Sequence, residues 1–295
     1  MSDFDTGTAI QTYGDDRQGD GLLRIQWRNG EPKLDSPGRF FVSEEALGDF
    51  VPGAPWVKCR ETFNDGTKVP GYKAESLDIA VLCARSQPFH WSAPNGEPGR
   101  YKIWQAKWIK GDHSPENQAM QVEVLCYVKG FEDWGSPVVW TSATIKTSFA
   151  IIAQDGILTA IDKAMVKPAS QAAKSPLDRY CFWATVEGKR DTKGDVEYTP
   201  TKGQPVTPPV LVLPPEKQRT IEWLRSRFVG KALISETLAP WREAYEDWRQ
   251  ERRTNDDAPE VAPPTPVAAR NGNGRNAPQA LSPDEYSPDV DEMIM

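Results

Sequence analysis

Residues 77–84 read LDIAVLCA. The run is nearly all apolar, so it reads as a β-strand covered on both faces. Short apolar runs of the same kind recur on either side of it, punctuated by turn residues. Leu22 to Trp27 ends at Asn29-Gly30, Arg39 to Val42 follows, and Trp56 to Phe63 runs into Asn64-Asp65-Gly66, a hairpin signal. Downstream, Tyr101 to Ile109, Met120 to Val128, Val138 to Thr147 and Tyr180 to Val186 read as strands. Turn chemistry lies at 94–97 and a polar loop over 111–117. Thr199 to Pro215 holds six prolines, which makes it an extended segment or an edge strand.

Helical periodicity is confined to a few places. Ile157, Ile161 and Met165 recur every four residues and predict a helix over 156–166, with Pro168 ending it. Ile221, Leu224 and Phe228 mark a second helix that Gly230 ends, and Trp241, Tyr245 and Trp248 form the stripe of a third, with Pro240 in its first turn. The fold class expected is mainly β with added α-helices. A helix placed after several strands and before another agrees with an OB-like β-barrel body carrying C-terminal helices. A decorated β-sandwich gives the same coarse pattern.

The chain has 295 residues and a net charge of -7, but the charge is unevenly spread. Residues 1–20 carry five Asp and one Arg, and residues 254–295 carry eight acids and two Arg. Between them, 32 Lys and Arg face 29 Asp and Glu, a net of +3, so the acidity sits in the ends. A weakly basic body is compatible with a phosphate-tracking groove without requiring one. No apolar run has the length to span a bilayer, and MSDFDTGTAIQTYGDD resembles neither a signal nor a transit peptide, so the expected location is cytoplasmic with no membrane partner.

Cys59, Cys83, Cys126 and Cys181 are far apart, and His90 and His113 lie at no metal-ligand spacing from them, so no metal and no cofactor is expected. Cys83 and Cys126 lie inside apolar runs and read as small buried hydrophobes. Phosphate loops, nucleophile elbows and zinc-protease motifs are missing, which argues against an enzyme and leaves no catalytic residue to name.

Residues 100–110, RYKIWQAKWIK, carry the sharpest local signal. If the segment is a strand throughout, Lys102, Trp104, Trp108 and Lys110 share one face while Lys107 takes the other. Indoles stacked on bases and ammonium groups on phosphates are what sequence-tolerant binding of a single strand needs. The alternative is a core strand, with Trp104 and Trp108 inside and the two lysines reaching past its ends. Trp91, beside Phe89 and His90, and Tyr127 with Lys129, near Phe131 and Trp134, are further candidates for a groove. Glu132 and Asp133 count against that second cluster, because carboxylates repel phosphate. Lys189 to Lys193 is a charged loop tip, read as a solvated turn.

From Thr254 the composition shifts to Pro, Ala, Asn, Gly and Ser, and the chain ends on Asp289, Val290, Asp291, Glu292, Met293, Ile294 and Met295. Such a segment cannot bury enough apolar surface to offset its ordering entropy. The carboxylates with four apolar side chains (Val290, Met293, Ile294 and Met295) and a terminal carboxylate suit capture by a partner's pocket. This order of parts (folded body, polar linker, acidic and apolar tip) resembles bacterial and phage single-stranded DNA-binding proteins. The ending departs from the Pro-Phe of the commonest bacterial pattern.

The resemblance implies a protein that coats single-stranded DNA and recruits replication or repair proteins through its tip. The parts would be an acidic segment over 1–20, a nucleic-acid-binding domain over 21–213, a helical extension over 214–253, a linker over 254–288 and the tip over 289–295. A strand-annealing recombination protein is a close variant. A β-rich structural protein of a virion and an RNA-binding module of a defence complex are the other readings. The Trp241, Tyr245 and Trp248 stripe packs either on the body or on a second copy, so a homo-oligomer stays open.

Overall fold

The structure is a computed structural model that describes residues 21–30, 37–63, 66–91, 102–113, 118–142, 145–189 and 206–252. The turn at 94–97, Tyr101, and the tip residues Asp289, Asp291, Glu292, Met293, Ile294 and Met295 lie outside the described residues, as do 1–20, 190–205 and the linker.

Among the described residues ten strands form one sheet. They are β1 (Leu23–Arg28), β2 (Arg39–Ser43), β3 (Val57–Thr62), β4 (Lys68–Ala74), β5 (Ser76–Trp91), β6 (Lys102–Trp104), β7 (Gln118–Val128), β8 (Val138–Ser142), β9 (Ala184–Gly188) and β10 (Pro209–Leu211). Their spatial order is β10-β9-β5-β7-β8-β1-β2-β4-β3, with β6 added beside the far end of β5. Pairing is antiparallel except between β1 and β8, where Leu23 faces Val138 and Gln26 faces Thr141 in parallel. Among the described residues β10 and β3 end the path, so the sheet does not close into the expected OB-like barrel. Mainly β with added helices is the architecture that the residues build.

Helices cover the sheet in place of closure. On one face, alternate residues of the central strands (Ile25, Phe40, Ile79, Val124, Cys126, Trp140 and Val186) form the main core. Helix α1 (Glu44–Leu47) adds Leu47, α2 (Ile145–Ile152) adds Ile151, and α3 (Ile157–Ile161) adds all three of its isoleucine and leucine anchors. On the other face, Leu22, Ala80, Leu82, Leu125, Tyr127 and Val139 meet Leu238 and Trp248 from the C-terminal helices. The run LDIAVLCA is therefore covered on both sides, as its composition requires. Cys83 and Cys126 are buried in β5 and β7, and burial pushes the Cys83 thiol up to about 11.

Three expectations are corrected. The strand expected over 101–109 is only β6, and the chain bends after Trp104. The strand expected to run to Thr147 stops at Ser142, and α2 begins at Ile145. Ser148 Oγ, donating to Met120 O at 2.7 Å, ties that helix to the sheet. The helix from Ile157 does not end at Pro168. A π-helical turn (Asp162–Val166) leads into α4 (Lys167–Ala173), and Pro168 sits in the first turn of α4, where the change of register absorbs its missing N–H.

The C-terminal part follows its periodicity more closely. Helix α5 (Ile221–Arg227) is capped by Thr220, whose Oγ1 accepts from Trp223 N. Then come α6 (Lys231–Leu233), a π-helical turn (Ile234–Leu238) and α7 (Ala239–Ala244). Trp241, Tyr245 and Trp248 pack on the sheet of the same chain, the first of the two outcomes their stripe allowed.

Candidate nucleic-acid interface

The second sheet face changes character along its length. Near Tyr127 it is apolar, but toward the β5–β6 end the inward positions become Arg85 opposite Glu123 and Gln87 opposite Gln121. Next in register come Phe89 opposite Ala119 and Trp104, then Trp91 opposite Lys102. Opposed residues in antiparallel strands share a face, so Lys102, Trp104, Trp91 and Phe89 are brought together by backbone pairing. The Lys102 ammonium lies 5.4 Å from the Phe89 ring centre, 6.0 Å from Trp91 and 5.6 Å from Trp104. Phe89 is fully buried and supports the two indoles, meeting Trp91 edge-on at 5.2 Å and Trp104 at 5.4 Å. Both indoles are half-buried.

A hydrogen-bonded row holds this cluster. Lys102 Nζ donates to Gln121 Oε1 at 2.7 Å, and Gln121 Nε2 donates to Glu123 Oε1 at 2.9 Å. Arg85 Nε donates to Glu123 Oε2 at 2.7 Å, and Arg24 Nε stands 3.8 Å from Glu123 Oε1. The Glu123 carboxylate is 4% exposed, and a carboxylate so deep in a sheet is tolerated only with cations against it. Arg85 continues the row by donating to Trp248 O at 3.0 Å and to the more exposed Glu251 at 3.3 Å, with its guanidinium 3.9 Å above the Trp248 ring. Two cations, Arg85 and Arg24, thus meet Glu123, Arg85 also reaches Glu251, and Gln121 links Glu123 to Lys102 beside two indoles.

The other candidates are dispersed. Trp108 lies past the bend and packs on the main core, so it does not share a face with Trp104. Lys107 and Lys110 are exposed on that bend. Tyr127 is buried in the second-face core between Trp183 and Trp241, at 5.6 and 5.7 Å, about 25 Å along β7 from the Lys102 cluster. Lys129 donates to Asp78 Oδ2 at 2.6 Å and lies 5.0 Å over the Trp183 ring. Asp78 also accepts from Thr185 and from Arg227, at 2.5 and 2.8 Å, so this group is an ionic tie between β5, β7, β9 and α5.

Sequence reasoning missed Arg85, Arg24, Gln121 and Glu123. The signal was present, since Glu123 interrupts an apolar strand, and a carboxylate there needs a partner. Among the described residues no cluster of His, Cys, Asp and Glu is arranged to hold a metal ion, and no helix is long and apolar enough to cross a membrane. No protein-family model, curated protein or solved structure matches the chain.

Proposed function

We propose that the protein binds and coats single-stranded DNA without strong sequence preference, with Trp91 and Trp104 stacking on bases and Lys102 meeting phosphate. The observation that carries this reading is the Lys102 ammonium set among three aromatic rings at one end of a sheet face. Each base–aromatic stack is worth about 1–3 kcal/mol and needs no particular base. Lys107 and Lys110, exposed just beyond β6, extend the cationic surface. What the proposal keeps of the OB-like expectation is a strand face used as the platform, which an open sheet offers equally. The acidic and apolar tip over 289–295 would recruit replication or repair proteins while the body stays bound.

The experiment is quenching of tryptophan fluorescence by oligo-thymidine, at low and high salt. Salt-sensitive quenching that Trp104→Ala weakens supports the proposal, because phosphate binding releases counterions. Absence of quenching and of any gel shift would sink it and leave a structural or assembly role. Tighter binding of the matching RNA would turn the assignment to the RNA-binding reading.

A further inference from the structure

The turn after β7 and the C-terminal helices leave a cleft of about 300 Å³ against Tyr127. Its walls include the Tyr127 and Trp241 rings, Pro240, Thr237 and two carboxylates, Glu132 and Glu236. Among the described residues no Lys or Arg lines it. Glu132 Oε2 accepts from Gly130 N at 2.9 Å, which fixes that carboxylate at the rim. Among the described residues neither Glu132 nor Glu236 belongs to an ion pair. The Tyr127 hydroxyl is pushed up by burial first, and then by the negative charges of Glu132 and Asp133.

We propose that this cleft receives the guanidinium of one arginine side chain presented by a partner polypeptide, held between Glu132 and Glu236 against the Tyr127 and Trp241 rings. Carboxylates that belong to no ion pair, set beside aromatic rings, favour a cation, and the two attractions act on the same group. A planar, weakly hydrated guanidinium suits such a place better than a compact ammonium. The volume admits one long side chain and no folded element. The cleft lies about 25 Å along β7 from the Lys102 cluster, so its occupant and a strand held there would not collide.

Calorimetric titration of the full chain with acetyl-Ala-Arg-Ala-amide tests this, with the citrulline peptide as its uncharged counterpart. Saturable binding is expected, weakened about tenfold or more in the citrulline peptide and in the Glu132→Gln, Glu236→Gln double variant. Glutamine keeps an acceptor for Gly130 N, so the variant's melting should not change. The citrulline arm uses the unaltered protein and decides the matter even if the variant is unstable. Equal binding of the two peptides, equal binding by a folded double variant, or no saturable binding at millimolar peptide would each overturn the proposal.

Discussion

Asp78 is 18% exposed in its side chain, and burial by itself would raise its pKa. Hydrogen bonds from Lys129, Thr185 and Arg227 outweigh burial and hold the carboxyl at about 2. A carboxyl depressed in the folded state stabilises the fold above its unfolded value near 4, and that contribution fades as pH falls toward 2. Asp78→Asn should cost about 2 kcal/mol at pH 7. In denaturant unfolding at a series of pH values the gap should narrow below pH 4 and close near pH 2; a constant gap would contradict the assignment. The two tryptophans of the 100–110 segment separate in the same way. Trp104→Ala should lower oligo-thymidine affinity by about 1–3 kcal/mol with little change in melting. Trp108→Ala should lower stability by about 3 kcal/mol with affinity nearly kept. The sequence left these two equivalent because alternation was carried past Trp104. The bend that separates them depends on what β6 pairs with, which local spacing does not contain.

At the scale of elements, the hairpin of β3 and β4 shows how closely strands approach here. Gly71 faces Ser43 across the β2–β4 pair, and a Cβ on it would lie 2.2 Å from Val42 O and 2.6 Å from the Phe41 ring. Since a backbone atom has no rotamer to yield, Gly71→Ala should cost about 3 kcal/mol, seen as a lower denaturant midpoint. The C-terminal helices act on the opposite principle, by covering. A chain ending at Gly230 would uncover Leu22, Leu82, Tyr127 and Val139. It should bind a hydrophobic dye and melt earlier than the full chain, whereas unchanged melting would mean that these helices contribute nothing to the core. Strands β1, β2, β3, β5 and β7 were legible because their apolar runs and turn residues are local signals. The end of β8 was not, since Thr141 and Ser142 suit a strand and the residues after them suit one equally. Only docking onto β7 selects a helix there.

For the whole molecule, the charge pattern bears on binding more than the total does. A net of -7 would repel nucleic acid at long range, yet Lys102, Lys107 and Lys110 lie within one short segment. If three phosphates are neutralised there, the logarithm of the affinity should fall by about 2 for each tenfold rise in salt. A flat salt response in a filter-binding series would argue against phosphate contact. The mainly β class was legible in the sequence, and the failure of the sheet to close into the expected barrel was not. Whether a sheet closes is decided by which strands become its two ends, and the pairing of Leu23 with Val138 or of Ser76 with Glu187 leaves no local trace.

The parallel ladder between β1 and β8 is also a seam. Every strand on its β1 side comes from residues 23–74, and every strand on its β8 side comes from residues 76–211. Leu23 must wait for Val138 to be synthesised, and at ribosomal rates of roughly 5–20 residues per second that wait is on the order of ten seconds. For that interval the amino-terminal four strands carry Ile25 and Phe40 on an uncovered apolar face with the backbone of β1 unpaired along one side. A ribosome stalled before residue 138 would leave a fragment whose unpaired β1 edge is a template for pairing with its own copies.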